Sequence, residues 1–230
     1  MRKVAFVAAA MATFALGGAA QAATNLVVNG GFEADAVSGS FTPSLQGTAL
    51  TGWTIDVGSI DLLSSSNSGG HYPASSGTQS IDLAGSLGTF GNSLFQDFAT
   101  VAGKKYDFSF VVLGSTDNIN QQNPYNFTAT NTFTSLNPSN LLKQTNFSHL
   151  NTDPNWTTIS GSFIAESELT RIRFTDTSTG MVNQGVYLDD VSVTAAVPEV
   201  GTWAMMLIGF GGIGGALRSR RASKPVAALA

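Results

Sequence analysis

His71 and His149 are the chain's only imidazoles, and cysteine is absent. Cys/His nucleophilic chemistry, disulfides and thiolate zinc sites are therefore excluded. The chain carries no G-x-S-x-G, no H-E-x-x-H and no phosphate-binding glycine loop. Fifteen acids are present, but a two-carboxylate glycosidase is defined by a spatial separation of roughly 5–9.5 Å, and nothing in the sequence singles out a pair. The residues that stand out suit binding by a non-enzymatic protein. Trp53, His71 and Tyr72 could form a sugar site, because pyranose C–H faces stack on aromatic rings while a few polar groups select hydroxyls. His71-Tyr72-Pro73 falls in a Gly/Ser-rich loop, where binding residues concentrate. Trp53 opens a strand, so core packing is at least as good a reading for it, and Trp156 reads as structural.

A second constellation is acidic. Glu33 follows an Asn29-Gly30-Gly31-Phe32 turn near the start of the chain, and Asp189-Asp190 lie in the last apolar-alternating segment. Strict alternation puts Asp189 on the face of Val191 and Val193, where its carboxylate needs a cation, an arginine or backbone N–H donors. If the first and last strands are neighbours, Glu33, Asp189 and Asp190 with backbone carbonyls could hold a structural Ca²⁺, which takes six to eight oxygen ligands. The alternative is that Asp189 or Asp190 bonds backbone N–H groups and Glu33 is solvated.

The elements that must position these residues read as strands. In YDFSFVVL, Tyr106, Phe108, Phe110 and Val112 share a face. SGSFIA, LTRIRFTD and VYLDDVSVTA alternate likewise, the last with Tyr187, Val191 and Val193 on one side. Shorter candidates are 26–28, 53–63, 79–83 and 94–98. Gly/Ser/Asn-rich turns separate them at intervals typical of β-sandwiches and jelly rolls. The expectation is an all-β, single jelly-roll sandwich over residues 23–197. An Asn-rich stretch, about 117–156, interrupts the rhythm and is expected to be a solvated excursion holding one strand near 127–133.

Both ends differ from this body. Arg2 and Lys3, an apolar stretch to Leu16 and Ala20-Gln21-Ala22 have the layout of a secretory signal peptide, residues 1–22, cut by signal peptidase. Residues 200–217 form an uncharged run at the short limit for a transmembrane helix. Arg218, Arg220 and Arg221 follow it, which by the positive-inside rule keeps residues 223–230 cytoplasmic and the body outside. Of 11 basic residues, six lie at these ends, so residues 4–217 hold five Lys/Arg against all 15 acids, a net of about −10. That balance disfavours nucleic acid and anionic lipid as partners.

Two resemblances follow from these residues. Pro198-Glu199, Trp203-Ala204, the glycine-rich apolar run and Arg218, Arg220 and Arg221 resemble the PEP-CTERM sorting signal in its PEPxxWA variety, with Val200 standing where the second proline belongs. That resemblance implies recognition by a membrane-embedded exosortase and delivery to the surface or exopolysaccharide of a Gram-negative bacterium. NLVVNGGFE, GWTIDVGSIDLL, HYPASSGTQSIDLAG, LFQDFATVAGKKYDFSFVVLG and VYLDDVSV, in that order, resemble the DUF642 or choice-of-anchor C family. The resemblance implies a galactose-binding-like jelly roll, similar to carbohydrate-binding modules, with extracellular polysaccharide as partner.

Overall fold

The computed structural model describes residues 23–87, 91–116, 122–131, 141–150, 155–178, 185–196, 206–215 and 218. Twelve strands are present among them: β1 Phe41–Leu45, β2 Ala49–Leu50, β3 Trp53–Val57, β4 Ser59–Ser64, β5 Gln79–Asp82 and β6 Ser93–Ala99, then β7 Lys105–Gly114, β8 Gln122–Thr130, β9 Leu141–Leu150, β10 Thr157–Ile164, β11 Leu169–Asp176 and β12 Val186–Ala195. They build two antiparallel six-stranded sheets. Sheet A runs β1-β4-β5-β12-β7-β10, and sheet B runs β2-β3-β6-β11-β8-β9. From β5 onward the chain passes repeatedly between the sheets, as in a jelly roll.

Period-two alternation explains the core. Tyr106, Phe108, Phe110 and Val112 of β7 meet Ile172 and Phe174 of β11 and Tyr125, Phe127 and Ala129 of β8 in one apolar cluster. Phe108, Phe110, Phe127 and Phe174 interlock, with ring centroids 4.4 to 5.3 Å apart for the closest pairs. The edge-on and tilted geometries suit aromatic quadrupoles.

Several expectations need correction. Residues 26–28 are not a strand, although Leu26 N donates to Val193 O at 2.8 Å and Val191 N to Gly30 O at 2.9 Å, so this segment does lie beside β12. Residues 53–63 are two strands in different sheets. Gly58, with φ of 68°, separates them in a conformation that glycine adopts without a Cβ penalty. Over its described residues 122–131 and 141–150 the Asn-rich stretch is not a solvated excursion. Its β8–β9 hairpin is integral to sheet B, with Tyr125 and Phe127 in the core. The Asn and Thr residues between those aromatics fill the other parity, as a half-buried strand requires.

The last strand breaks alternation. Its register with β7 shifts between Asp189 and Ser192, and Asp190 adopts φ of 50°. This bulge adds one residue and resets the parity. Tyr187 and Asp189 therefore face outward from sheet A, whereas Val191 and Val193 face the core, so Asp189 and Tyr187 do not share the valines' face.

Residues 206–215 are helical and exposed, and Arg218 lies just beyond them. Among the described residues no helix is long and apolar enough to cross a membrane. Residues 1–22, Pro198, Glu199, Trp203, Arg220 and Arg221 lie outside the described residues.

Candidate functional site

The structure separates the three aromatic candidates. Trp53 is 4 % exposed and belongs to the core. Its ring packs against Phe32 and Phe174, and Nε1 donates to Asn29 O at 3.0 Å. It presents no open ring face to a ligand, which corrects its assignment to a sugar site. His71 and Tyr72 stand together in the β4–β5 loop, ring centroids 4.7 Å apart. That loop covers the outer face of sheet A. Tyr72 turns edge-on to Tyr187 and Phe41 and packs on a satellite cluster of Leu63, Leu113 and Tyr187, joined by Trp156. Thr116 Oγ1 donates to His71 O at 2.9 Å. The pair thus fastens the loop down.

The acidic candidates do converge. Asn29 and Phe32 adopt φ of 53° and 58°, turning the chain so that Gly31 sits among Asp189, Asp190 and Glu33. A Cβ on Gly31 would be 3.8 Å from Asp189 Oδ1 and 4.0 Å from both Asp190 Oδ1 and Glu33 Cγ. The carboxylates already have donors. Asp189 Oδ2 accepts from Ser75 N at 2.8 Å and Ser76 N at 3.2 Å, and Oδ1 from Asp190 N at 2.7 Å. Glu33 Oε1 accepts from Thr78 N and Gln79 N, and Oε2 from Thr78 Oγ1. Asp190 accepts from Ser76 Oγ. Among the described residues no three His, Cys, Asp or Glu are placed to hold a metal ion. In this arrangement the acids act as acceptors for backbone and hydroxyl donors that pin the second half of the β4–β5 loop. Burial pushes the Asp189 carboxyl up to about 7, helped by the Asp190 charge and opposed by the N–H donors.

A second buried acid lies farther along this face. Asp82 pairs across the strands with Asp61 on one side and Tyr187 on the other. It accepts from Ala84 N and Gly185 N. Burial first, with the Asp61 and Asp176 charges adding to it, raises Asp82 to about 8. Beyond the loop, β7, β10 and β12 leave a trough of about 420 Å³ lined by Asp107, Ser109, Ser160, Ser162, Ser192 and Thr194.

Among the described residues, the most developed polar constellation is on the outer face of sheet B, and sequence reasoning missed it. Arg171 and Arg173 of β11 share that face because Ile172 and Phe174 point inward. Arg171 lies over Phe95 of β6, Cζ 3.4 Å from the ring centroid, and Arg173 Cζ is 5.4 Å from the same ring. Arg171 grips Asp97 bidentately at 2.7 and 2.9 Å. Arg173 Nη1 pairs with Asp56 and also donates to Ser93 Oγ at 3.3 Å. The arginine side chains are only 12 % and 16 % exposed, so the network is tightly packed. Directly across from Arg173 on β8 stands Thr128, whose buried Oγ1 has no hydrogen-bond partner. The signal was present in the R-x-R spacing on β11 beside F-x-D on β6; what sequence could not show is that the two strands pair.

A search of curated protein sequences finds no match. Among solved structures, the chain is similar to TmCBM61, solved with β-1,4-galactotriose, at 16 % identity, covering 75 % of this chain and 99 % of that one with a TM-score of 0.48. It is similar to the CBM22-1 xylan-binding domain of Paenibacillus barcinonensis Xyn10C at 13 % identity, covering 70 % and 97 %, with a TM-score of 0.45. It is also similar to a CBM4 module at 16 % identity, covering 74 % and 99 %, with a TM-score of 0.42. A family model described as "Protein of unknown function (DUF642)" matches residues 25–194. Since that span takes in every strand of both sheets but the last residue of β12, the chain belongs to the DUF642 family.

Proposed function

We propose that the protein is a non-enzymatic carbohydrate-binding protein, and that the outer face of sheet B is its glycan surface. The observation that carries this reading is the ion-paired network of Arg171, Asp97, Arg173 and Asp56 around Phe95. Guanidinium N–H groups and carboxylate oxygens are the kinds of donor and acceptor that vicinal sugar hydroxyls need. Because ion pairs and the ring already hold the arginines, little side-chain entropy is lost when a ligand lands. The same pairing argues against hydrolysis, since Asp56 and Asp97 are each committed to an arginine rather than poised as an acid and nucleophile pair.

The export signal, the PEP-CTERM-like tail and the negative body complete the proposal. Residues 1–22 direct secretion through signal peptidase. The C-terminal segment holds the chain at the inner membrane until exosortase-type processing, and exopolysaccharide is the partner outside. Affinity electrophoresis of the purified protein in gels cast with neutral polysaccharides tests the binding step. Retardation that Phe95→Ala abolishes, with the melting temperature retained, is the expected result. Free migration on every glycan would refute it and leave a purely structural matrix role. Mass spectrometry of the mature protein from cell fractions tests export and processing; an intact chain in the cytoplasm would overturn both.

A further inference from the structure

We propose that this surface takes a neutral glycan and that Arg173 and Thr128 together read the hydroxyls of one sugar unit, an inference that rests on the glycan-binding reading above. Three features carry it. First, Arg173 commits only Nη1, to Asp56 and Ser93. Nε and Nη2 meet no acceptor among the described residues, so the guanidinium offers an unused edge of N–H donors. Second, Thr128 is 3 % exposed and its Oγ1 makes no hydrogen bond. A buried, unpaired hydroxyl costs stability that valine, nearly the same shape, would not. Register places Thr128 opposite Arg173 on the same face, where paired Cβ atoms lie about 4.5–5.5 Å apart. A single vicinal diol can span that distance, accepting from the guanidinium and exchanging a hydrogen bond with the threonine.

Third, charge selects the ligand class. Arg171 is neutralised by Asp97 and Arg173 by Asp56, so these two pairs carry no net charge, while residues 4–217 carry a net of about −10. A uronate chain would meet no uncompensated cation here and would be repelled by the body. A neutral chain loses nothing to either effect.

Isothermal titration of the full-length protein with cellohexaose, xylohexaose and laminarihexaose, and with polygalacturonate as the charged probe, tests the proposal. Thr128→Val is expected to weaken binding of the preferred neutral hexasaccharide roughly three- to tenfold, the loss of one hydrogen bond, while the melting temperature holds or rises. Arg173→Lys keeps the charge facing Asp56 but loses the planar fork, and should weaken binding at least as much. Affinity for the neutral probe should be the same at low and high NaCl. If Phe95→Ala abolishes binding but Thr128→Val leaves it unchanged, the hydroxyl-reading pair is wrong and the glycan surface stands. If Thr128→Val lowers the melting temperature and the affinity in step, Thr128 is structural and the inference falls. Polygalacturonate binding that fades with salt overturns the neutral class. No binding to any probe by the unaltered protein removes the glycan reading itself.

Discussion

Replacing Asp82 with asparagine should stabilise the domain in mild alkali and change little in mild acid. Asp82 is 3 % exposed and faces Asp61 across the strand pair; like charges directly opposite are unfavourable in a sheet. Its carboxyl is raised from an ordinary 3.8 to about 8, chiefly by burial. The native state therefore holds a proton that the unfolded chain releases above about pH 4. Stability falls as pH climbs from roughly 4 to 8, because over that window the native state binds more protons than the unfolded one. At about 1.4 kcal/mol per tenfold, the full rise is worth roughly 6 kcal/mol. Interior relaxation, with an effective dielectric nearer 20 than 4, brings the expected cost at pH 9 to about 2–3 kcal/mol. For a domain this size that is a melting-temperature difference of roughly 4–12 °C. Asparagine keeps an Oδ1 for the Ala84 and Gly185 N–H groups and carries no charge at any pH. Scanning fluorimetry from pH 5 to 9 should show the unaltered protein melting progressively lower as pH rises, and Asp82→Asn following a flatter curve that crosses above it. A melting temperature that climbs between pH 5 and 8, or an Asp82→Asn curve lower by the same amount at every pH, would refute the reasoning. Asp61, Asp176 and Asp189, also raised mainly by burial, act with the same sign and steepen the slope that remains.

Trp53→Ala should destabilise the domain by about 3–5 kcal/mol, as expected for a buried aromatic, measured by urea denaturation; a change under about 1 kcal/mol would mean the indole is not core. The acids around Gly31 are satisfied by loop N–H and O–H donors, so the melting temperature should be equal in EGTA and in millimolar CaCl₂. A rise of several degrees with calcium would show that the ion displaces those donors.

The legible parts of the sequence were those where one strand's own alternation decides the outcome. β7 and β11 read directly, because Tyr106 to Val112 and Ile172 to Phe174 carry the inward parity without interruption. Composition misled in the Asn-rich hairpin: Asn and Thr favour turns in isolation, yet Tyr125 and Phe127 buried on sheet B outweigh that local preference. The bulge at Asp190 was invisible because only pairing with β7 shows that a residue is extra, and it alone decides which face Asp189 occupies. The sheet B surface was hidden for a similar reason. Phe95 and Arg171 are 76 positions apart in the chain, and only the antiparallel β6–β11 register stacks one upon the other. Trp53 shows the opposite error, in which a residue type common in sugar sites is spent on packing.

The placement of β12 has a mechanical meaning. The strand lies between β5 and β7 in the interior of sheet A and leads straight into the C-terminal segment, with Ala196 N still bonded to Lys105 O at 2.9 Å. Any tension arriving through that segment enters along an inner strand rather than peeling an outer one. To yield, the sheet must shear the hydrogen bonds to both flanking strands together instead of unzipping them singly, so the domain resists a pull applied through its C-terminal end.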